Sequence, residues 1–249
     1  MRTIDLNADV GETAALAPLE EELLGVVTSV NVACGGHAGD EASMERLVRS
    51  ALARGVAIGA HPSYPDREGF GRRAIPMPLD ALSVSVAEQV AALRDVAARR
   101  GARLAHVKPH GALYNAAARD RALAGAIATG VARVAPVVVL VGLAGSEMLA
   151  AFVEAGFAVA GEAFADRGYE PDGSLTPRGR PGALKASAEE AAAQALSVAR
   201  DGAVVASDGS RVRVDARTLC LHSDTPDALA FARATAARLR EAGIALRPL

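Results

Sequence analysis

The chain has 249 residues, 27 Lys and Arg against 29 Asp and Glu, and a formal net charge of −2. It has no basic footprint, only 3% aromatic residues and no Trp, so a nucleic-acid surface built on charge or base stacking is not expected. Its length and 51% hydrophobic content suit one large α/β domain able to bury a core without disulfides. No apolar run approaches the roughly 18 residues of a membrane span. Met1-Arg2-Thr3-Ile4-Asp5 lacks a signal-peptide core. Only Cys34 and Cys220 are present, far apart, so a reducing cytoplasm is the expected compartment.

In chain order, Thr3 to Asp9 reads as a first strand ending at Gly11, and Val26 to Cys34 as a second. Asp40 is a helix N-cap, and Met44, Leu47, Val48, Ala51 and Leu52 recur at helical spacing up to Arg54. Residues 56–60 form a third strand and 61–78 a proline-rich loop. A helix follows over 79–100, then strand 103–107, helix 120–134 and strand 137–141. Gly145-Ser146 opens a helix ending near Gly156, followed by strand 157–161 and a long polar loop over 162–185. Helix 187–200 leads into a small hairpin at 203–205 and 212–214. Strand 218–221 and a helix over 226–242 complete the reading. Alternating β and α elements imply a parallel sheet. Seven main strands fit a (β/α) barrel, with an open doubly wound sheet as the alternative. In both, ligands bind beyond the carboxyl ends of the strands.

All five histidines, His37, His61, His106, His110 and His222, fall at or just after predicted strand ends, and none on a predicted helix. In such folds polar strand-end residues read as catalytic. Asp5, Asn7 and Asp9 alternate with apolar residues, so they share one strand face; in a barrel that face is interior, where polar groups need partners or a site. His106 and Lys108 also share a face, with His110 following on a loop. An inward lysine suits an acid partner or a substrate oxyanion, phosphate or carboxylate. Glu162 to Arg167 and His222-Ser223-Asp224 close the ring. Asp40 reads as a cap and Cys34 as inert packing.

Several devices are absent from the sequence: a Gly-x-x-x-x-Gly-Lys-Ser/Thr phosphate loop, a Gly-x-Gly-x-x-Gly turn after the first strand, a Gly-x-Ser-x-Gly elbow and a His-Glu-x-x-His helix. Asp9, His37 and His61 stand on neighbouring strand ends and form the expected ligand set if the site holds a metal.

Five stretches carry a resemblance: Asp5-Leu6-Asn7-x-Asp9-x-Gly11-Glu12; Ala33-Cys34-Gly35-x-His37-Ala38-Gly39-Asp40; Gly59 to Asp66 with Gly69 to Arg73; His106 to Asn115; and Phe164-Ala165-Asp166-Arg167. Together they resemble the LamB/YcsF family, the A subunits of ATP-hydrolysing 5-oxoprolinases. The sequence departs from the family's usual Cys at Ala8, Phe at Gly36, Val at Ala163 and Gly at Ser223. Of these, only the thiol expected at position 8 is an ionisable group.

The resemblance implies one domain over residues 1–249, a seven-stranded β/α barrel related to glycoside hydrolases and polysaccharide deacetylases. It implies opening of the 5-oxo-L-proline lactam to L-glutamate with hydrolysis of ATP to ADP and phosphate, in a complex with subunits B and C. Asp9, Glu12, His61, Lys108 and His110 are then the catalytic candidates. Asn7, His37, Tyr114, Asp166, Arg167, His222 and Asp224 are the substrate-binding candidates. A divalent metal, arriving with ATP or bound in the site, stays open, as does self-association. A stand-alone metal-dependent amidase or deacetylase, and a non-catalytic 5-oxoproline-binding protein, are the alternatives.

Overall fold

The computed structural model describes residues 2–223 and 227–249. Seven parallel strands close into a barrel: β1 (Thr3–Val10), β2 (Ser29–Ala33), β3 (Ala57–His61), β4 (His106–Val107), β5 (Val139–Leu143), β6 (Val159–Phe164) and, after a short antiparallel hairpin of β7 (Ala203–Val205) and β8 (Arg211–Arg213), β9 (Thr218–Leu221). Closure comes from β9 pairing on one side with β6, Glu162 opposite Thr218, and on the other with β1, Asn7 opposite Cys220. A last strand, β10 (Ala245–Leu246), pairs with Thr3 and Ile4 at the amino end of β1. The barrel reading therefore holds over the open sheet.

Helices α1 (Ala17–Leu23), α2 (Glu41–Arg54), α3 (Leu79–Arg99), α4 (Gly111–Ala117), α5 (Arg121–Ala132), α6 (Glu147–Glu154), α7 (Ala188–Asp201) and α8 (Ala228–Glu241) surround it. Helix α2 starts where Asp40 accepts a hydrogen bond from the Ser43 amide at 2.8 Å, while the Ser43 hydroxyl accepts one from the Asp40 amide at 2.9 Å. That reciprocal cap satisfies two otherwise unpartnered N–H groups. Met44, Leu47, Val48 and Ala51 then face the barrel as the spacing predicts, whereas Leu52, read into the same stripe, falls past its edge and is exposed.

Strand alternation divides β1 cleanly. Ile4, Leu6, Ala8 and Val10 join the apolar layer between strands and helices, whereas Asp5, Asn7 and Asp9 belong to the polar barrel interior. Ala8 is fully buried in that apolar layer, so position 8 is a packing position rather than a site position. Helices α1 and α4 and strand β10 are not predicted by the sequence pattern. Strands β5 and β6 run two and three residues beyond their predicted ends, which moves Glu162 from the loop into the barrel.

Candidate active site

The barrel interior is a directed hydrogen-bond network. At its lower layer Asp5 accepts from the hydroxyls of Thr28, Ser29 and Thr218 at 2.6, 2.7 and 2.5 Å. Burial raises the Asp5 pKa, and those three hydroxyls oppose the rise. One layer up, the Asn7 amide donates to Thr218 Oγ1 at 2.6 Å and Glu162 Oε1 at 3.1 Å. Asn31 donates to Asn7 Oδ1 at 2.7 Å and Asp9 Oδ1 at 2.8 Å, and its own carbonyl accepts from His106 Nε2 at 2.7 Å. A carboxylate only accepts, so the Asn31 orientation follows and His106 carries its proton on Nε2. The His106 ring fills space directly over Gly59, where a Cβ would stand 2.1 Å from Nε2.

The top layer holds Lys108. Its Nζ lies 2.9 Å from Asp9 Oδ1, 3.0 Å from Glu162 Oε1 and 3.0 Å from Cys220 Sγ. An ammonium has three donors, and three acceptors stand within reach. Of the two partners expected for an inward lysine, a protein acid or a substrate anion, Lys108 has the first. Burial works against the Lys108 charge, but the Asp9 and Glu162 carboxylates outweigh it and hold its pKa well above normal. Burial likewise opposes the Asp9 charge, yet His61 and Lys108 prevail and keep the carboxyl well below its usual range. Cys220 is pushed the other way, chiefly by burial and then by Asp9, and stays a thiol.

Beside Asp9 three histidines gather. His61 Nε2 is 3.4 Å from Asp9 Oδ2, and its Nδ1 is 2.8 Å from the Lys108 carbonyl oxygen. His110 Nδ1 faces His61 Nε2 at 3.0 Å, and its Nε2 is 3.0 Å from the Phe70 carbonyl. His37 stacks on His110 with ring centres 3.7 Å apart and planes at 4°. Glu12 Oε1 lies 3.5 Å from His37 Nε2 and 3.6 Å from His110 Nδ1. Burial, reinforced by the neighbouring imidazoles, lowers the His37 pKa and brings His110 to about 3.

Two loops hold this cluster. Arg67 donates to the carbonyls of Gly35 and Gly39 at 3.0 and 2.9 Å, tying the 66–73 loop to the loop that carries His37. Phe70 adopts a left-handed φ of 55° while its carbonyl meets His110. Gly71, at φ 62°, packs so closely that a Cβ would stand 2.9 Å from His37 Cβ.

Above these groups opens a cavity of about 470 Å³, lined by Asp9, Glu12, His61, His110, Tyr114 and His222 among others. Cationic side chains Arg72, Arg119 and Arg178 also border it. The Asp166 carboxylate accepts from the backbone and Nδ1 of His222, the latter at 3.0 Å, which fixes that ring. Tyr114 is fully buried near Glu162; burial first, then the Glu162 charge, pushes its phenol well above normal. Arg167 donates to the carbonyls of Ala183 and Thr176 at 3.0 and 2.7 Å, so much of its guanidinium organises the long loop. Asn7 and His37 do not line the cavity. Asp224 lies outside the described residues.

Two groups of metal-type donors are present among the described residues: Glu12, His37, His61 and His110, and next to them Asp9, Cys220 and His222, each with donor atoms within 4.8 Å of one another. The trio expected from the sequence, Asp9 with His37 and His61, is thus split between them.

The model of the LamB/YcsF family matches residues 4–249. The chain belongs to the LamB/YcsF family. The 5-oxoprolinase A subunit of Methylococcus capsulatus is 52% identical over 250 residues, covering 100% of this chain and 96% of that protein. Its counterpart in Geobacillus kaustophilus, of the same name, is 49% identical over 99% of this chain and 97% of its own length. The crystal structure of a lactam utilization protein from Thermus thermophilus matches with a TM-score of 0.93 and 42% identity, over 99% of this chain and 100% of that one.

In this LamB/YcsF protein, sequence reasoning counts Glu162 in the ring of strand-end groups but gives it no role, and it passes over Asn31 and Glu20. Glu20, fully buried on α1, accepts from the Gly11 amide at 2.6 Å and from Arg46 at 2.5 Å, holding the turn that presents Glu12. Ser29 and Asn31 repeat in β2 the alternation of Asp5, Asn7 and Asp9, and that pattern is a usable signal.

Proposed function

We propose that this chain is the A subunit of an ATP-dependent 5-oxoprolinase, opening 5-oxo-L-proline to L-glutamate with subunits B and C as partners. Near-full-length identity of about half to two proteins of that name supports the reading. The observation that carries it is a buried, ionised Asp9 at the floor of a cation-bordered cavity large enough for a small anionic substrate. Asp9 Oδ1 is taken up by Lys108 and Asn31, which leaves Oδ2 beside His61 to meet a water. The two free cysteines fit a reducing, cytoplasmic setting.

A lactam is a poor electrophile. Transfer of the ATP γ-phosphoryl group to the carbonyl oxygen makes the ring carbon reactive and releases ADP. Asp9 orients water and accepts its proton as the oxygen bonds to that carbon. The C–N bond then breaks, its electron pair passing to the ring nitrogen, which takes up a proton. The resulting acyl phosphate reacts with a second water to give glutamate and phosphate. The arginines of the rim suit the carboxylate and the phosphoryl group of these species. His222, oriented by Asp166, borders the same space.

The test is a coupled assay of glutamate and phosphate release by the chain with subunits B and C. Turnover should require all three and ATP, and Asp9→Asn should reduce it at least 100-fold, on the order of one catalytic acid–base contribution. Full turnover in Asp9→Asn would overturn the assignment of Asp9. Lactam hydrolysis by the chain alone without ATP would make it a stand-alone amidase; binding of 5-oxoproline with no turnover in the complex would make it a binding component.

A further inference from the structure

Why the three imidazoles converge as they do is a question of where their protons sit. A carbonyl oxygen only accepts, so His61 Nδ1 and His110 Nε2 both carry protons, donated to Lys108 O and Phe70 O. The inner nitrogens, His61 Nε2 and His110 Nδ1, therefore present lone pairs to one another at 3.0 Å. His37 adds a third ring, buried, with neither nitrogen in a hydrogen bond, and Glu12 adds a carboxylate oxygen to the same point.

Two lone pairs at that separation repel unless something positive lies between them. A single proton would join His61 to His110 but leave both buried nitrogens of His37 without a hydrogen bond. A metal ion takes up the two facing lone pairs of His61 and His110 with the Glu12 oxygen beside them, and His37, stacked on His110, joins as the fourth donor by turning its ring out of that stack. For zinc–nitrogen bonds of roughly 2.0–2.1 Å in a tetrahedron, neighbouring ligand atoms lie about 3.3–3.4 Å apart. The observed separations of 3.0, 3.5 and 3.6 Å bracket that value. The outer N–H to carbonyl bonds of His61 and His110 are the supporting contacts that orient metal-binding imidazoles. The left-handed backbone at Phe70, unusual for a non-glycine residue, places one of those carbonyls. The adjacent group of Asp9, Cys220 and His222 differs, because the Lys108 ammonium already stands 2.9 and 3.0 Å from Asp9 and Cys220.

We propose that Glu12, His37, His61 and His110 form a binding site for one divalent transition-metal ion, distinct from any magnesium that accompanies ATP. Three imidazoles and one carboxylate favour zinc, cobalt, nickel or iron over magnesium, whose ligands are oxygens. The site stands whether or not the reaction assigned above is the right one. When bound, such an ion supplies Lewis acidity beside the Asp9 carboxylate.

The full-length chain, stripped with chelator and then titrated with zinc against a chromophoric chelator, should take up one equivalent with a Kd below about 1 µM. His61→Gln and His110→Gln should each weaken uptake at least tenfold, whereas His222→Gln should leave it unchanged. Circular dichroism and melting of the apo forms establish that the variants are folded. Should either ligand variant misfold, the cobalt-substituted wild-type chain decides the matter: intense visible d–d bands and X-ray absorption with nitrogen and oxygen but no sulfur neighbours are expected. Failure of the wild type to retain one equivalent, or sulfur in the cobalt shell, or loss of zinc in His222→Gln alone, overturns the site.

Discussion

Lys108 is the residue on which the interior charges balance. It sits buried between Asp9 and Glu162, and removing it leaves two largely buried carboxylates without their cation. Lys108→Met should therefore cost about 3–5 kcal/mol, the usual penalty for breaking one side of a buried ion pair. Urea denaturation reads this directly, and a loss under about 1 kcal/mol would mean that the lysine is not the cation that holds Asp9 in place. The cysteines make the opposite prediction. Burial pushes the Cys34 thiol up to about 12, so at pH 8 only about one molecule in ten thousand carries the thiolate. Native protein incubated with iodoacetamide should show no modification at Cys34 by mass spectrometry until denaturant is added; rapid labelling of the folded chain would contradict its packing role.

At the scale of elements, the helices with an amphipathic stripe and a side-chain cap were legible in the sequence. Asp40 opening α2 and Ser187 opening α7 lie where the pattern places them. Asp40→Ala should remove about 1 kcal/mol of stability without altering turnover, a clean separation of cap from site. Helix α4 was not legible, because its seven residues follow His110 with no capping side chain and too short a stripe to show a period. Strands β5 and β6 read as continuous apolar runs, and in a parallel barrel their ends are set by pairing, Gly142 against Gly161 and Leu143 against Glu162, not by residue type. A charged residue at 162 looks like the start of a loop; its partner, Lys108, lies far earlier in the chain and across the barrel. Gly59 in β3 shows how strand and site depend on one another. An alanine there would overlap the His106 ring, cost about 1–3 kcal/mol as overpacking, and push His106 from Asn31, the residue that steadies Asp9. Gly59→Ala should lower both the melting midpoint and turnover; an unchanged melt would show that the ring has room to move.

For the whole molecule, what the sequence conveyed best was polarity from one end of the barrel to the other. Histidines at strand ends pointed to the carboxyl end, and there His37, His61 and His110 stand together, while His106 lies a layer deeper and helps position Asp9. The closure itself was hidden, since β9 meets β1 across more than 200 residues of chain and nothing local encodes that pairing. Long-range closure makes the two ends separable in function. Strand β10 pairs with Thr3 and Ile4, six and five residues before Asp9, or roughly 17–20 Å away at the rise of an extended strand. Deleting residues 245–249 should expose the amino end of β1 and loosen the packing of Ile244, lowering the melting midpoint by several degrees. Zinc uptake and turnover per folded molecule should stay at wild-type levels at temperatures below the new midpoint, because no group of the site rests on β10. If the truncated chain instead lost turnover while its melt and circular dichroism were unchanged, the foot of the barrel would have to communicate with Asp9 through β1, and the separation of stability at one end from chemistry at the other would fail.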